Sequence, residues 1–100
     1  MTPEYRKRVV VSGRVQGVGF RYYTVRLAQD YPVTGYVMNL PNNEVEIVAE
    51  GEKEAVEAFL EKASRGPGHA MIFDVRSFME SPSGGYKGFG IKYDWLDDRF

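Results

Sequence analysis

Residues 13–21, Gly-Arg-Val-Gln-Gly-Val-Gly-Phe-Arg, contain residue types that could bind a phosphate group. Gly17 and Gly19 have no side chain, so the backbone can curl there and direct several N–H groups into one concavity. The apolar period that starts at Phe20 predicts a helix, and a helix N-terminus attracts anions through its free N–H groups and its dipole. Arg21 in the first turn adds a guanidinium that can bind two oxygen atoms. Together these features predict an anion site.

A purely structural interpretation of the same segment is open at this point. The glycines could form a tight connection between a strand and a helix, and Arg21 could be a solvated residue on the helix surface. The segment lacks the Gly-Lys-Ser/Thr of a Walker loop and does not follow the dinucleotide-binding pattern Gly-x-Gly-x-x-Gly. Glycine spacing alone therefore does not decide between a connection and an anion site.

Length, charge and composition restrict the class of protein. One hundred residues can form one core, so we expect a single domain over residues 1–100. The formal net charge of −1 argues against a protein that binds nucleic acid or a membrane surface. The absence of cysteine excludes disulfides, thiolate catalysis and cysteine metal sites. No apolar run resembles a signal peptide or approaches the roughly 20 residues of a membrane-spanning helix, which leads us to expect a soluble cytoplasmic protein.

Apolar periodicity predicts the elements that must position residues 13–21. They are a strand over 8–13, a helix from 20 that Pro32 closes, strands over 33–40 and 44–50 joined by a turn at 41–43, a helix over 51–63, and strands over 70–79 and 87–93. The order β-α-β-β-α-β with a short extra strand predicts an α+β, ferredoxin-like sandwich, with two helices on one face of an antiparallel sheet.

The strand over 44–50 alternates between apolar residues at 45, 47 and 49 and residues of the other face, three of which are glutamates and the fourth Val48. Because successive side chains of a strand point to opposite faces, Val45, Ile47 and Ala49 are expected to face the core. The three glutamates, Glu44, Glu46 and Glu50, are expected to form a solvated face.

Two strings of the sequence resemble the motifs of the acylphosphatase family. Residues 13–21 match the first motif as Gly-x-Val-Gln-Gly-Val-Gly-Phe-Arg, residue for residue. Residues 35–39, Gly-Tyr-Val-Met-Asn, match the second, and Val45 and Gly51 follow at the expected offsets. The resemblance covers residues 8–93, and the tail over 95–100 lies past the usual end of the family. Asn43 stands in the hairpin turn where the family usually has glycine, a change that asparagine tolerates because it also adopts positive φ.

The resemblance implies an enzyme that hydrolyses a carboxyl–phosphate mixed anhydride to a carboxylate and inorganic phosphate. Asn39 would hold the attacking water in line with the leaving carboxylate. The phosphoryl oxygens would be bound by the side chain of Arg21 and by the backbone amides of Arg14, Val15, Gln16, Gly17, Val18, Gly19, Phe20 and Arg21. No metal or cofactor is implied, the partner is a small acyl phosphate rather than a nucleic acid or a membrane, and a monomer is expected.

The inventory of residue types agrees with this chemistry. A carboxylate is a good leaving group, so no general acid is required, and phosphoryl transfer depends mainly on positioning and electrostatics. The single histidine, His69, follows Gly-Pro-Gly and is interpreted as a surface or structural residue. With no evident base near Asn39, the proton of the attacking water is expected to pass to a phosphate oxygen of the substrate.

Two other functions remain as alternatives. RNA-recognition domains share the β-α-β-β-α-β order, and residues 87–93 partly resemble their RNP1 string. That match breaks at Ile91, Lys92 and Asp94, and the segment lies on the last strand rather than on the third. Acylphosphatase-like domains also occur within larger proteins that handle carbamoyl groups, where such a domain need not act as a free-standing enzyme.

Overall fold

The computed structural model describes residues 5–93, so the tail over 95–100 lies outside the described residues. The elements in chain order are β1 (Tyr5–Arg14), α1 (Phe20–Ala28), β2 (Val33–Leu40), β3 (Glu44–Gly51), α2 (Lys53–Ala63), β4 (Met71–Glu80) and β5 (Phe89–Ile91). The predicted order of helices and strands is confirmed. The final strand is shorter than the predicted 87–93, since only three of its residues pair with β2.

The five strands form one sheet in the order β4-β1-β3-β2-β5. Four of them pair antiparallel, as predicted, whereas β5 lies parallel to β2 and makes the sheet mixed. The prediction of an antiparallel sheet was wrong for β5. The reason is that β4 and β5 occupy opposite edges, so the segment between them crosses the sheet instead of turning back in a hairpin.

The main core lies between the sheet and the two helices. It contains fully buried side chains of β1, β2, β3 and α2, among them Val11, Val37, Val45, Ile47, Val56 and Phe59. Burying one such side chain stabilises the fold by about 1.5–3 kcal/mol. The inward positions predicted for Val45, Ile47 and Ala49 are confirmed, because all three are fully buried in this core. None of the helices within residues 5–93 is long and apolar enough to span a membrane.

The opposite face of β3 is not solvated, which corrects the prediction for its glutamates. Glu46 and Glu50 are each only 1% exposed. Glu46 accepts a hydrogen bond from the Tyr36 hydroxyl at 2.6 Å and forms an ion pair with Arg8 at 3.0 Å. Strand alternation predicts which residues share a face, but it does not reveal that a distant segment covers the second face. Here that segment is the connection between β4 and β5, whose Ser83 donates to Glu50.

The turn between β2 and β3 adopts the predicted backbone conformation. Asn42 and Asn43 have φ of 65° and 59°, both in the left-handed region. Asparagine tolerates that region better than other residues with a Cβ, which allows the tight return that pairs Leu40 with Glu44. The turn places the end of β2 and the start of β3 at the same end of the sheet as the loop that follows β1.

Candidate active site

The connection between β1 and α1 is a curled loop over residues 15–19. Gly17 and Gly19 have φ of 75° and 78°, in the left-handed region where any residue with a Cβ is strained. A Cβ at either position would meet no atom within 4 Å. The two glycines are therefore required by the backbone conformation, and the space beside them is open to a ligand.

The loop leads directly into the N-terminus of α1. Gly19 is the N-cap, it supplies no side-chain hydrogen bond, and the first turn contains no acidic residue. The first helical hydrogen bond runs from the Tyr23 N–H to the Gly19 carbonyl at 2.9 Å. Within residues 5–93, no backbone N–H from Gln16 to Gly19 donates to another backbone group. The described residues thus place no acidic side chain in this first turn to compensate the partial positive charge of the helix end, as a site for an anion requires.

Two side chains of the loop anchor it to the core. Val15 is completely buried and Phe20 is 2% exposed. The left-handed Gly66, with φ of 70°, lies against the Phe20 ring, where a Cβ would come within 2.7 Å of a ring carbon. Because these hydrophobic side chains point inward, the loop presents its backbone, and not its side chains, to the outside.

Gln16 has a role that the sequence did not indicate. Its Nε2 donates to the Leu40 carbonyl at 2.7 Å and to the Glu44 carbonyl at 2.9 Å. These carbonyls flank the turn between β2 and β3, so one side chain fastens the loop to the strand that carries Asn39. A glutamine in a glycine-rich loop has no sequence signature for such a contact, since its partners lie more than 20 positions away.

Arg21 lies in the first turn of α1 and is partly buried. Its Cζ is 5.6 Å from the centroid of the Tyr93 ring, a cation–π contact that holds the guanidinium in place. No carboxylate within residues 5–93 forms an ion pair with it, in contrast to Arg6 and Arg8. The structure thus leaves the charge of Arg21 available for an anion. Arg14, also expected at the site, is exposed at the end of β1.

Asn39 lies near the end of β2, opposite Val45 of β3. Its Oδ1 is buried and has no hydrogen-bond partner. Buried polar atoms are nearly always paired, and the exceptions mark places where a water or ligand belongs. The β2–β5 register pairs Val37 with Ile91, and the Lys92 N–H donates to the Val37 carbonyl. Continuing this register by two residues brings Tyr93 beside Asn39.

The predicted site residues therefore converge on one end of the sheet. Gln16 connects the loop to the β2–β3 turn through its hydrogen bond to the Leu40 carbonyl. Arg21 contacts the ring of Tyr93, which the continued β2–β5 register places beside Asn39. His69 is exposed, in agreement with its interpretation as a surface residue. No three histidine, aspartate or glutamate side chains in the described part of the chain come together as metal ligands.

Comparison with known proteins identifies the family of the chain. The model of the acylphosphatase family matches residues 7–91. The chain belongs to the acylphosphatase family. An acylphosphatase of Thermotoga petrophila is 45% identical over 86 residues, which cover 86% of this chain and 94% of that protein. The chain is accordingly an enzyme that hydrolyses acyl phosphates, as the motifs predicted.

Solved structures support the same family. The acylphosphatase from Bacillus subtilis superposes with a TM-score of 0.82 at 35% identity, covering 89% of this chain and 99% of that one. A full-length HypF in its phosphate- and nucleotide-bound form superposes with a TM-score of 0.77 at 30% identity. The match covers 95% of this chain but only 13% of that protein. The acylphosphatase fold thus occurs both alone and within a much larger chain.

Proposed function

We propose that this acylphosphatase binds the phosphoryl group of its substrate with the 14–20 loop and Arg21, and that Asn39 positions the attacking water. The water oxygen attacks phosphorus on the side opposite the carboxylate. The bond between phosphorus and the bridging oxygen breaks, and its electron pair leaves with the carboxylate. One water proton passes to a phosphoryl oxygen, so the products are a carboxylate and inorganic phosphate.

The open helix N-terminus supports the phosphate half of this mechanism. The backbone N–H groups of residues 16–19 donate to no other backbone group within residues 5–93, and the first turn of α1 has no acidic side chain. Arg21 adds a positive charge that no described carboxylate neutralises. A phosphoryl group in transfer spreads its charge over its equatorial oxygens, and these donors are suited to stabilise that charge.

The proposal that Asn39 positions the attacking water rests on one observation, the unpaired Oδ1 of its side chain. An amide oxygen accepts a hydrogen bond from water, and a buried amide oxygen without a partner is costly unless a ligand pairs with it. A water that donates to this oxygen keeps both of its lone pairs, so one of them can attack phosphorus. Positioning of this kind can lower a barrier by several kcal/mol without any change of protonation on the protein.

The leaving group explains why the site needs no acid. A carboxylate leaves without being protonated, whereas the alkoxide of a phosphate monoester does not. The site should therefore hydrolyse acyl phosphates and leave monoesters unreacted. This selectivity follows from the chemistry of the substrate, because the loop and Arg21 bind the phosphoryl group that both classes share.

A release assay tests the proposal directly. Purified protein is incubated with acetyl phosphate, carbamoyl phosphate and benzoyl phosphate, and with glycerol 3-phosphate as the alkyl monoester control, while inorganic phosphate is measured. We expect release from acyl phosphates only, competitively inhibited by inorganic phosphate. Equal rates on the monoester would contradict the mechanism. No release at all, combined with salt-sensitive binding of single-stranded RNA, would favour the RNA-binding alternative.

A further inference from the structure

Strand β4 forms one edge of the sheet and leaves its outer side unpaired within residues 5–93. Its ten residues include apolar side chains that are unusually exposed: Phe73 at 72%, Met79 at 60% and Val75 at 42%. Val75 pairs with Val11 of the core, so Val75 lies on the helix-facing side of the sheet, beyond the cover that α2 provides. A long apolar edge of this kind is a template for pairing with another strand.

The devices that usually protect an edge strand are sparse in β4. It contains no lysine and no proline, and its one irregularity is a bulge at Phe73, where Ser12 pairs with Asp74 and Gly13 with Ile72. The opposite edge of the sheet is different, because β5 is only three residues long. The residues of β4 that follow the bulge are regular and remain available for a ladder.

We propose that the outer edge of β4 pairs with the same edge of a second copy of this chain. In an antiparallel pair with its two-fold axis at Val75, each Asp74 lies opposite Arg76 of the other copy. In the same register, the two Val75 side chains meet at the axis. Opposite charges directly across two strands stabilise a sheet.

The charges favour a second copy over an unrelated extended peptide. A two-fold interface requires a surface that complements itself, and Asp-Val-Arg centred on the axis has this property. Asp74 and Arg76 retain 60% and 49% side-chain exposure, and their mutual approach within one strand is a long 3.7 Å. Arg76 also pairs with Glu44, but an exposed pair of this type competes weakly with a new partner.

The resulting dimer would contain one continuous sheet with the helices of both copies on the same face. Because the axis is perpendicular to the sheet, the exposed Val75 and Met79 of both copies would lie on that face. Asp74 and Arg76 are not among the candidate active-site residues, but Arg76 pairs with Glu44, whose carbonyl accepts the hydrogen bond of Gln16. The dimer differs from the monomer expected from the sequence.

Charge exchange between Asp74 and Arg76 tests this register. Asp74→Arg places two arginines opposite each other at both pairs, and Arg76→Asp does the same with aspartates. We expect each single variant to raise the dimer Kd at least ~10-fold in sedimentation equilibrium, because like charges directly opposite are destabilising. The double variant D74R/R76D restores opposite charges and should restore the wild-type Kd. A mixture of the two single variants should form a heterodimer that neither forms alone.

Controls separate this interface from other causes. Arg65→Asp makes the same change of charge as Arg76→Asp on an exposed arginine that follows α2, and it should leave the Kd unchanged. All variants should hydrolyse acyl phosphate, which shows that they are folded. A wild-type chain that stays monomeric at several hundred micromolar overturns the proposal. So does a dimer whose Kd responds to none of the exchanges, since that dimer uses another face.

Discussion

Two loops of this molecule combine a left-handed backbone with a nearby arginine, and they differ in whether a carboxylate of the described residues occupies them. The loop between β4 and β5 surrounds the Glu50 carboxylate, which accepts hydrogen bonds from the Ser83 and Gly84 N–H groups at 3.0 and 2.9 Å. Arg6 completes this cluster with an ion pair at 2.9 Å. The loop over 15–19 has a similar left-handed backbone and Arg21 beside it, but no carboxylate within residues 5–93 binds there.

The difference is that one cluster is complete and the other is not. Around Glu50, donors and acceptor are all paired, so the cluster fastens a loop to the sheet and has no capacity for a ligand. Around Gly17 and Gly19, the backbone N–H groups and the Asn39 Oδ1 have no hydrogen-bond partner among the described residues, and Arg21 contacts the Tyr93 ring but pairs with no described carboxylate. Unpaired polar groups cost stability unless a ligand pairs with them, which supports the proposal that the substrate binds here.

The loop over 15–19 with Arg21 and Asn39 is called the open site below, and the cluster around Glu50 the closed site. Removal of Arg21 from the open site should have the largest effect on activity. Arg21→Ala leaves the loop amides without their charged partner, and we expect kcat/KM to fall at least ~10³-fold, to the limit of detection. The far-UV circular dichroism spectrum and Tm should stay near wild type, because Arg21 pairs with no described carboxylate. Arg65→Ala, at an exposed arginine that follows α2, serves as the control. Near-normal turnover by Arg21→Ala would contradict the proposal that this loop and Arg21 bind the phosphoryl group.

The water-positioning role of Asn39 predicts a split between kinetic constants. Asn39→Ala removes one preorganised polar contact to the nucleophile, so kcat should fall at least ~10²-fold while KM changes little. Asn43→Gly is the matched control, because Asn43 lies in the turn with φ of 59°, which glycine adopts freely. A large rise in KM with an unchanged kcat would instead make Asn39 a binding residue.

Substitution of Glu50 in the closed site should lower the stability of the fold without changing catalysis. Glu50→Gln removes the buried negative charge that Ser83, Gly84 and Arg6 bind, while Arg6 keeps its second ion pair, with Glu80. We expect the free energy of unfolding to fall by about 2 kcal/mol, which lowers Tm by about 10 °C for a chain of this size. Glu61→Gln, in the exposed pair with Arg65, should cost less than about 0.5 kcal/mol. A loss of kcat/KM in folded Glu50→Gln would show that the two sites are coupled.

Acid should act on the closed site as well. Burial raises the pKa of Glu50, but hydrogen bonds from Ser83, Gly84 and Arg6 outweigh it and hold this pKa below its usual range. The pKa is lower in the folded state, so this stabilisation is complete above the unfolded value of about 4.3 and is lost as pH falls through the folded value. Denaturant titrations should therefore show a steeper loss of stability below about pH 4.3 in wild type than in Glu50→Gln. Equal slopes would assign the acid sensitivity to other carboxylates, such as Glu57, whose pKa Tyr5 and Lys7 also lower.

The sequence predicted the open site better than the closed one, for a physical reason. Gly17, Gly19 and Arg21 lie within one short segment, and the start of a helical period marks the helix end beside them. Glu50 is different, because its donors come from a loop more than 30 positions away. Strand alternation determined only which face Glu50 occupies, so its burial could not be predicted. The parallel direction of β5 was missed for the same reason, since it depends on the path of that loop.

The contact of Gln16 connects the open site to its surroundings and gives the smallest predicted effect. Its side chain does not need to touch the substrate, but it holds the loop against the strand end that carries Asn39. Gln16→Ala should therefore misplace the loop amides relative to the water, lowering kcat/KM about 10-fold. A merely structural role would lower Tm alone. A positioning role also weakens competitive inhibition by inorganic phosphate, measured well below Tm, because the amides that bind phosphate lose their fixed orientation. Unchanged phosphate inhibition with a lowered Tm would assign Gln16 to stability, and it would leave the left-handed glycines as the main determinant of the loop.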